Sequence, residues 1–130
     1  MTAKRVLIVD DNRSLVTAAE RILQKAGFET LTAADGSEGL TMAQAVKPDL
    51  VILDIVMPGL DGYEVCRALH KSPETVGIPV LMLTVKGQAN SPTGTKEQID
   101  GFDAGAVDFV SKPVKAKELV ERVKALLWLS

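Results

Sequence analysis

Five polar residues with the chemistry to handle a phosphoryl group lie along the chain at Asp10, Asp11, Asp54, Thr84 and Lys112. Three carboxylates brought into one pocket would repel one another strongly unless a cation neutralised them. Oxygen ligands suit a hard ion, so Mg²⁺ is the cation that they indicate. A metal ion, an ammonium and a hydroxyl together could bind a phosphoryl group. A carboxylate can also be the nucleophile and form an aspartyl-phosphate.

Each of these residues also has an ordinary structural explanation. Asp10 and Asp11 could cap a helix, and Asp54 could begin a turn. The Thr84 hydroxyl could bond to nearby backbone, and Lys112 could be a solvated surface charge. The functional interpretation therefore depends on a fold that brings all five residues to one place.

Buried strands are predicted immediately before most of these polar residues. Apolar runs at 6–9 and 50–53 end at Asp10 and Asp54, and such runs are typical of strands buried on both faces. Further strands are predicted at 28–33, at 78–83 before Thr84, and at 106–110 just before Lys112. The candidate functional residues therefore lie at or near the ends of predicted strands.

Helical patterns alternate with the strands. They are predicted from about residue 13 to 26, at 36–46, at 63–71, at 96–104 and at 115–127, with a polar loop at 85–95. Asn12 and Asp61 are predicted N-caps, and Gly27 is a predicted helix end. The inward stripe of the first helix is predicted to comprise Leu15, Ala19, Ile22, Leu23 and Ala26.

This alternation predicts an α/β fold with a doubly wound, five-stranded parallel sheet and helices on both faces. The flavodoxin-like strand order 2-1-3-4-5 makes strands one and three neighbours. Asp10, Asp11 and Asp54 would then meet at the carboxyl end of the sheet, where ligands bind in such folds. Thr84 and Lys112 would end the next two strands.

Length and composition set wider limits. The 130 residues suggest one domain, 1–130, and the net charge of −2 gives no indication of nucleic acid or membrane binding. Cys66 is the only cysteine, which rules out an internal disulfide. No apolar run approaches the ~18 residues of a membrane span, and the N-terminus is unlike a signal peptide. We therefore expect a cytoplasmic protein.

The motifs in combination resemble the receiver domain of two-component response regulators. The residues that carry the resemblance are Asp10-Asp11, Leu53-Asp54, Met57-Pro58-Gly59, Asp61-Gly62, Leu83-Thr84, Ala104-Gly105-Ala106 and Lys112-Pro113. They extend over nearly the whole chain. The span between Thr84 and Lys112 is several residues longer than receivers usually have, which assigns the extra residues to the loop at 85–95.

The resemblance implies a phosphorylation and metal site. Asp54 would accept a phosphoryl group from the phosphohistidine of a sensor kinase or a phosphotransfer protein. Asp11 would ligate Mg²⁺ directly, together with Asp54, and Asp10 would help to hold the ion through water. The backbone carbonyl of Val56 would be a further ligand.

The resemblance also implies a switch. Thr84, Val85 and Lys112 would contact the phosphoryl group, and the Lys112–Pro113 bond would be cis. Thr84 would move towards the phosphoryl oxygens while Phe109 turns inward. The change would reach a face formed by the predicted helix at 96–104, the fifth strand and the last helix, which could bind an effector protein or a second copy of the chain.

Three other classes of protein fit these residues less well. Haloacid-dehalogenase-type phosphatases carry a second Asp two positions after the nucleophile of strand one, where this chain has Asn12 after Asp10. Flavodoxins need a hydroxyl- and Gly-rich loop after strand one, and Asp10-Asp11 would repel the flavin phosphate. A receiver that acts only as an interaction module would not need all five site residues.

Overall fold

The computed structural model describes residues 3–55, 57, 59–85, 108–112 and 114–129. Within these ranges one sheet has the order β2-β1-β3-β4-β5, and all four neighbouring pairs are parallel. Its strands are β1 (Arg5–Val9), β2 (Glu29–Ala33), β3 (Leu50–Asp54), β4 (Val80–Val85) and β5 (Asp108–Lys112). The predicted doubly wound fold is confirmed.

Helices cover both faces of this sheet. They are α1 (Arg13–Lys25), α2 (Gly36–Val46), α3 (Gly62–Lys71) and α4 (Ala116–Leu129). Residues of α2 and α3 pack in one core cluster, whereas those of α1 and α4 pack in another. The central strands supply both clusters because successive side chains of a strand point to opposite faces. None of the helices described here is long and apolar enough to cross a membrane.

The ends of α1 are where the sequence predicts them. The Asn12 side chain accepts a hydrogen bond from the Leu15 N–H at 3.2 Å, and Gly27 follows the helix with a φ of +96°. The predicted inward stripe is only partly right. Ala19 and Leu23 are buried, and the half-buried Leu15 and Ile22 pack against the same core cluster, whereas Ala26 is half-buried at the end of the helix. Val16, which the prediction left out, is buried against the sheet because it shares a helix face with Ala19 and Leu23.

Several strand boundaries differ from the prediction by one or two residues. β1 begins one residue earlier than predicted, β2 begins one residue later, and β4 begins at Val80 rather than at residue 78. Val85 was expected to begin a loop, but it is the last residue of β4, where it pairs with Lys112. The fifth strand was expected to end near Lys112, and β5 does end there. The predicted helix at 96–104 and the rest of the predicted loop lie outside the described residues.

Candidate functional site

The adjacency of β1 and β3 brings the three predicted carboxylates together. Val9 pairs with Leu53, so Asp10 and Asp54 come next along neighbouring strands. One oxygen from each of Asp10, Asp11 and Asp54 lies within 4.8 Å of the others. Asp10 and Asp54 are buried, whereas Asp11 is exposed. The cluster is therefore anchored in the protein and open to solvent on its Asp11 side.

Lys112 joins this cluster from the end of β5. Its Nζ donates a hydrogen bond to Asp54 Oδ1 at 2.9 Å and lies 3.4 Å from Asp10 Oδ2. Burial lowers the pKa of Lys112, but the hydrogen bond to Asp54 and the charges of Asp54 and Asp10 outweigh it, so the pKa is raised overall. The ammonium therefore stays protonated and offsets part of the negative charge.

Asp10 is the most deeply buried carboxylate of the cluster. It is 1% exposed, and its Oδ1 accepts a hydrogen bond from the Asn12 N–H at 2.9 Å. Its Oδ2 has no hydrogen-bond partner among the described residues, although the Lys112 ammonium lies 3.4 Å away and forms an ion pair with it. Burial raises the pKa of Asp10 to about 6; the Asn12 N–H opposes this shift and the nearby Asp54 adds to it.

This unpartnered oxygen tests whether the site suits a metal ion. A buried carboxylate oxygen without a donor is costly unless a cation neutralises it. Three carboxylates within ligand distance of one another offer only oxygen atoms, which is the donor set that Mg²⁺ prefers. The residues present therefore fit Mg²⁺.

The N-terminus of α3 packs closely against the backbone at Asp54. The Asp61 side chain accepts a hydrogen bond from the Glu64 N–H at 2.9 Å, and the Glu64 side chain bonds in return to the Asp61 N–H, so the predicted N-cap is a capping box. A Cβ at Gly62 would meet the backbone carbonyl oxygen of Asp54 and come within 2.8 Å of Ile55 Cα. No structural role was predicted for Gly62, although its position directly after the predicted cap Asp61 was a signal for this close approach.

Comparison with known proteins decides the family. The sequence model of the response regulator receiver domain family matches residues 6–124 of this chain. The chain belongs to the response regulator receiver family. Receiver domains are regulatory domains whose general function is phosphorylation-based signalling, and they bind Mg²⁺ at an acidic pocket.

Relatives and solved structures agree with this assignment. The receiver is 43% identical over 124 residues to the DNA-binding response regulator MtrA of Mycolicibacterium smegmatis, covering 95% of this chain and 50% of MtrA. It is 40% identical to the alkaline phosphatase synthesis transcriptional regulatory protein PhoP of Bacillus subtilis, covering 95% of this chain and 48% of PhoP. The chain thus spans about half the length of the curated relatives it matches.

Two solved structures match the receiver over almost its full length. A response regulator from Chloroflexus aurantiacus has a TM-score of 0.89 at 38% identity and covers 98% of this chain and 99% of its own. The chemotaxis response regulator CheY4 of Vibrio cholerae has a TM-score of 0.87 at 34% identity and covers 97% of this chain and 100% of its own.

The remaining predicted site residues of the receiver lie beside this cluster or outside the described part. Thr84 and Val85 end β4, where Val85 pairs with Lys112, and their side chains lie outside the described residues. Val56 and Pro113 also lie outside them, so the carbonyl ligand and the cis bond stay predictions.

Phe109, the predicted switch aromatic of the receiver, lies on β5 and is 9% exposed. It packs in the same core cluster as Met82, which is its partner on β4. Its ring is therefore already directed into the protein in this structure, and its movement remains a prediction.

Proposed function

We propose that this receiver accepts a phosphoryl group on Asp54 from the phosphohistidine of a sensor kinase or a phosphotransfer protein. The observation that carries the proposal is the contact of Asp54 Oδ1 with Lys112 Nζ at 2.9 Å inside the cluster of three carboxylates. A cation on one oxygen holds the carboxylate in a fixed orientation. The side chain of Asp54 is only 5% exposed, so the donor must approach through the side where Asp11 is open to solvent.

The transfer needs positioning and charge neutralisation more than covalent catalysis. An oxygen of Asp54 attacks the phosphorus while the bond from phosphorus to the imidazole nitrogen of the donor breaks, and the imidazole leaves with the electron pair. The Lys112 ammonium faces the phosphoryl oxygens and balances their charge. Mg²⁺, when bound, supplies further neutralisation of those oxygens. Asp10, Asp11 and Asp54 would hold it, and the family resemblance adds the Val56 carbonyl.

We further propose that the receiver catalyses this transfer itself. The ammonium and the three carboxylates all come from its own chain, so a small phosphodonor should also be able to supply the phosphoryl group without a kinase. Val56 lies two residues after Asp54 in the chain and Val85 directly follows Thr84, and both are apolar, so neither offers a group that would orient an attacking water. We therefore expect the acyl-phosphate to hydrolyse slowly.

The effect of phosphorylation would be transmitted to the protein surface through the ends of β4 and β5. Thr84 and Lys112 lie at these ends, and Phe109 precedes Lys112 on the same strand. A hydroxyl drawn to the new phosphoryl oxygens would change the packing around Phe109, which is the kind of two-state element that a ligand can bias. The face that includes β5 and α4 would then bind an effector protein or a second copy. We do not assign nucleic acid binding to the receiver itself, since its net charge is −2.

Phosphorylation by a small donor tests the proposal directly. Incubation of the protein with acetyl phosphate and Mg²⁺ should add one phosphate, which peptide mass spectrometry should map to Asp54. Asp54→Asn should abolish the product, and Asp11→Asn should abolish it at low Mg²⁺. Asp35→Asn is the matched control, because Asp35 caps α2 by accepting from the Glu38 N–H and Asn caps equally well. Undiminished product in Asp54→Asn, or in excess chelator, would refute the assignment.

A further inference from the structure

A groove of about 940 Å³ lies between α1 and α4. Its apolar lining comes from Ile22 on α1, from Ala26 at the C-cap of α1, and from Ala116 and Val120 on α4. Ile22, Ala26 and Val120 are half-buried and Ala116 is exposed. Apolar side chains that the fold leaves uncovered in a groove indicate a surface that binds a partner.

The shape of the groove suits a helix. Ile22 on α1 lies four residues before Ala26, the C-cap of that helix, and Ala116 and Val120 are four residues apart on α4, so each pair forms a ridge about one helical turn long. Both helices pack on the same face of the sheet. The space between two such ridges accepts the apolar stripe of a third helix, as in other helix-in-groove complexes.

The charged residues of the groove indicate what kind of partner it would bind. Arg21, Lys25 and Lys117 line it, and Glu121 is the only acid among the described lining residues, whereas the whole chain carries a net charge of −2. All three cations are exposed, and none of them is in an ion pair with another described residue. A second copy placed on this groove would bring cations against cations. An acidic partner is therefore favoured over self-association.

We propose that this groove is a docking surface for an acidic amphipathic helix of a partner protein. The apolar stripe of that helix would cover Ile22 and Val120, and its flanking carboxylates would pair with Lys25 and Lys117. The groove shares no residue with the carboxylate cluster, and Arg21 lies roughly 12 Å along α1 from Arg13 at 1.5 Å per residue. The proposal therefore stands apart from the phosphorylation of Asp54.

A titration of the whole ¹⁵N-labelled protein with synthetic peptides tests this. The probe is a helical peptide of about 15 residues with Leu at i, i+3, i+4 and i+7 and Glu beside this stripe. It should shift the amide resonances of the second half of α1 and the first half of α4. Two control peptides carry Lys in place of Glu, or Ser in place of Leu, and each should bind at least tenfold more weakly.

Charge reversal on the protein gives the matching test. Lys25→Glu combined with Lys117→Glu should weaken binding of the Glu peptide about tenfold, because each change turns an attraction into a repulsion. Lys71→Glu is the control, since Lys71 is an exposed lysine on α3, away from the groove. It should change the affinity less than twofold. Unchanged phosphorylation by acetyl phosphate in the double variant would verify its fold independently.

Several outcomes of the peptide titration would overturn the proposal. They are equal binding of the Glu and Lys peptides, shifts confined to another face, no binding of the Glu peptide at millimolar concentration, and concentration-dependent shifts of the groove in protein alone. The last outcome would identify a second copy as the occupant. Binding of octanoate to the groove without binding of the Glu peptide would also overturn it, in favour of a small anionic amphiphile.

Discussion

Replacement of Asp10 by Asn should stabilise the metal-free protein, and by an amount that depends on pH. Burial is the main reason that the pKa of Asp10 rises from its ordinary value of 3.8 to about 6. Between these values the folded protein keeps a proton that the unfolded chain has lost. The stability that Asp10 contributes is therefore complete below about pH 4 and is lost as the pH rises through 6.

The size of the effect follows from the pKa shift. One pKa unit corresponds to about 1.4 kcal/mol, so ionised Asp10 lowers the free energy of unfolding by about 2–3 kcal/mol above pH 7. Asn has the shape of the protonated carboxyl group and carries no charge. Lys112 keeps its 2.9 Å hydrogen bond to Asp54 in the variant, so no buried cation is left unpaired.

Urea unfolding in the presence of a chelator, followed by circular dichroism from pH 4 to 8, measures this difference. Asp10→Asn and the wild type should have nearly equal free energies of unfolding at pH 4, and the variant should be more stable by about 2–3 kcal/mol at pH 8. The control Glu74→Gln changes an exposed acid and should show no such trend. A pH-independent difference, or a variant that is less stable at pH 8, would refute the reasoning.

The remaining predictions concern the backbone around the site and a helix end. Gly62→Ala should lower the free energy of unfolding by about 2 kcal/mol or more, because its Cβ would collide with the backbone of Asp54 and Ile55. A Cβ at Gly77 has no neighbour within 4 Å, so the control Gly77→Ala should change it by less than about 0.5 kcal/mol. Equal values from urea unfolding would contradict the role given to Gly62. Lys47 caps the C-terminus of α2 with a φ of +52°, so Lys47→Gly should raise the free energy of unfolding by about 0.5–1 kcal/mol in the same assay. Lys71→Gly, in the last turn of α3, should lower it. A loss of stability in Lys47→Gly would show that the left-handed conformation carries no strain.

The sequence by itself determined the topology and most of the site. Apolar runs that end at Asp10 and Asp54, separated by helical patterns, define a parallel α/β sheet, and the rules of chain connection leave few strand orders. Once β1 and β3 are neighbours, the carboxylates must meet at their carboxyl ends. The helix caps at Asn12 and Asp61 were also predictable, because capping depends on residues within one turn of the chain.

Only the tertiary structure decided what depends on residues far apart in sequence. The pairing of Val85 with Lys112 extends β4 beyond its predicted end.

The pKa of Asp10 and the unpartnered Oδ2 depend on burial and on its distance to Lys112, which no local pattern encodes. The same holds for Ile22, since helical periodicity marks it as apolar but the position of α4 decides whether it is covered. Local sequence fixes which residues can reach a face, whereas packing between distant elements sets what each of them contacts.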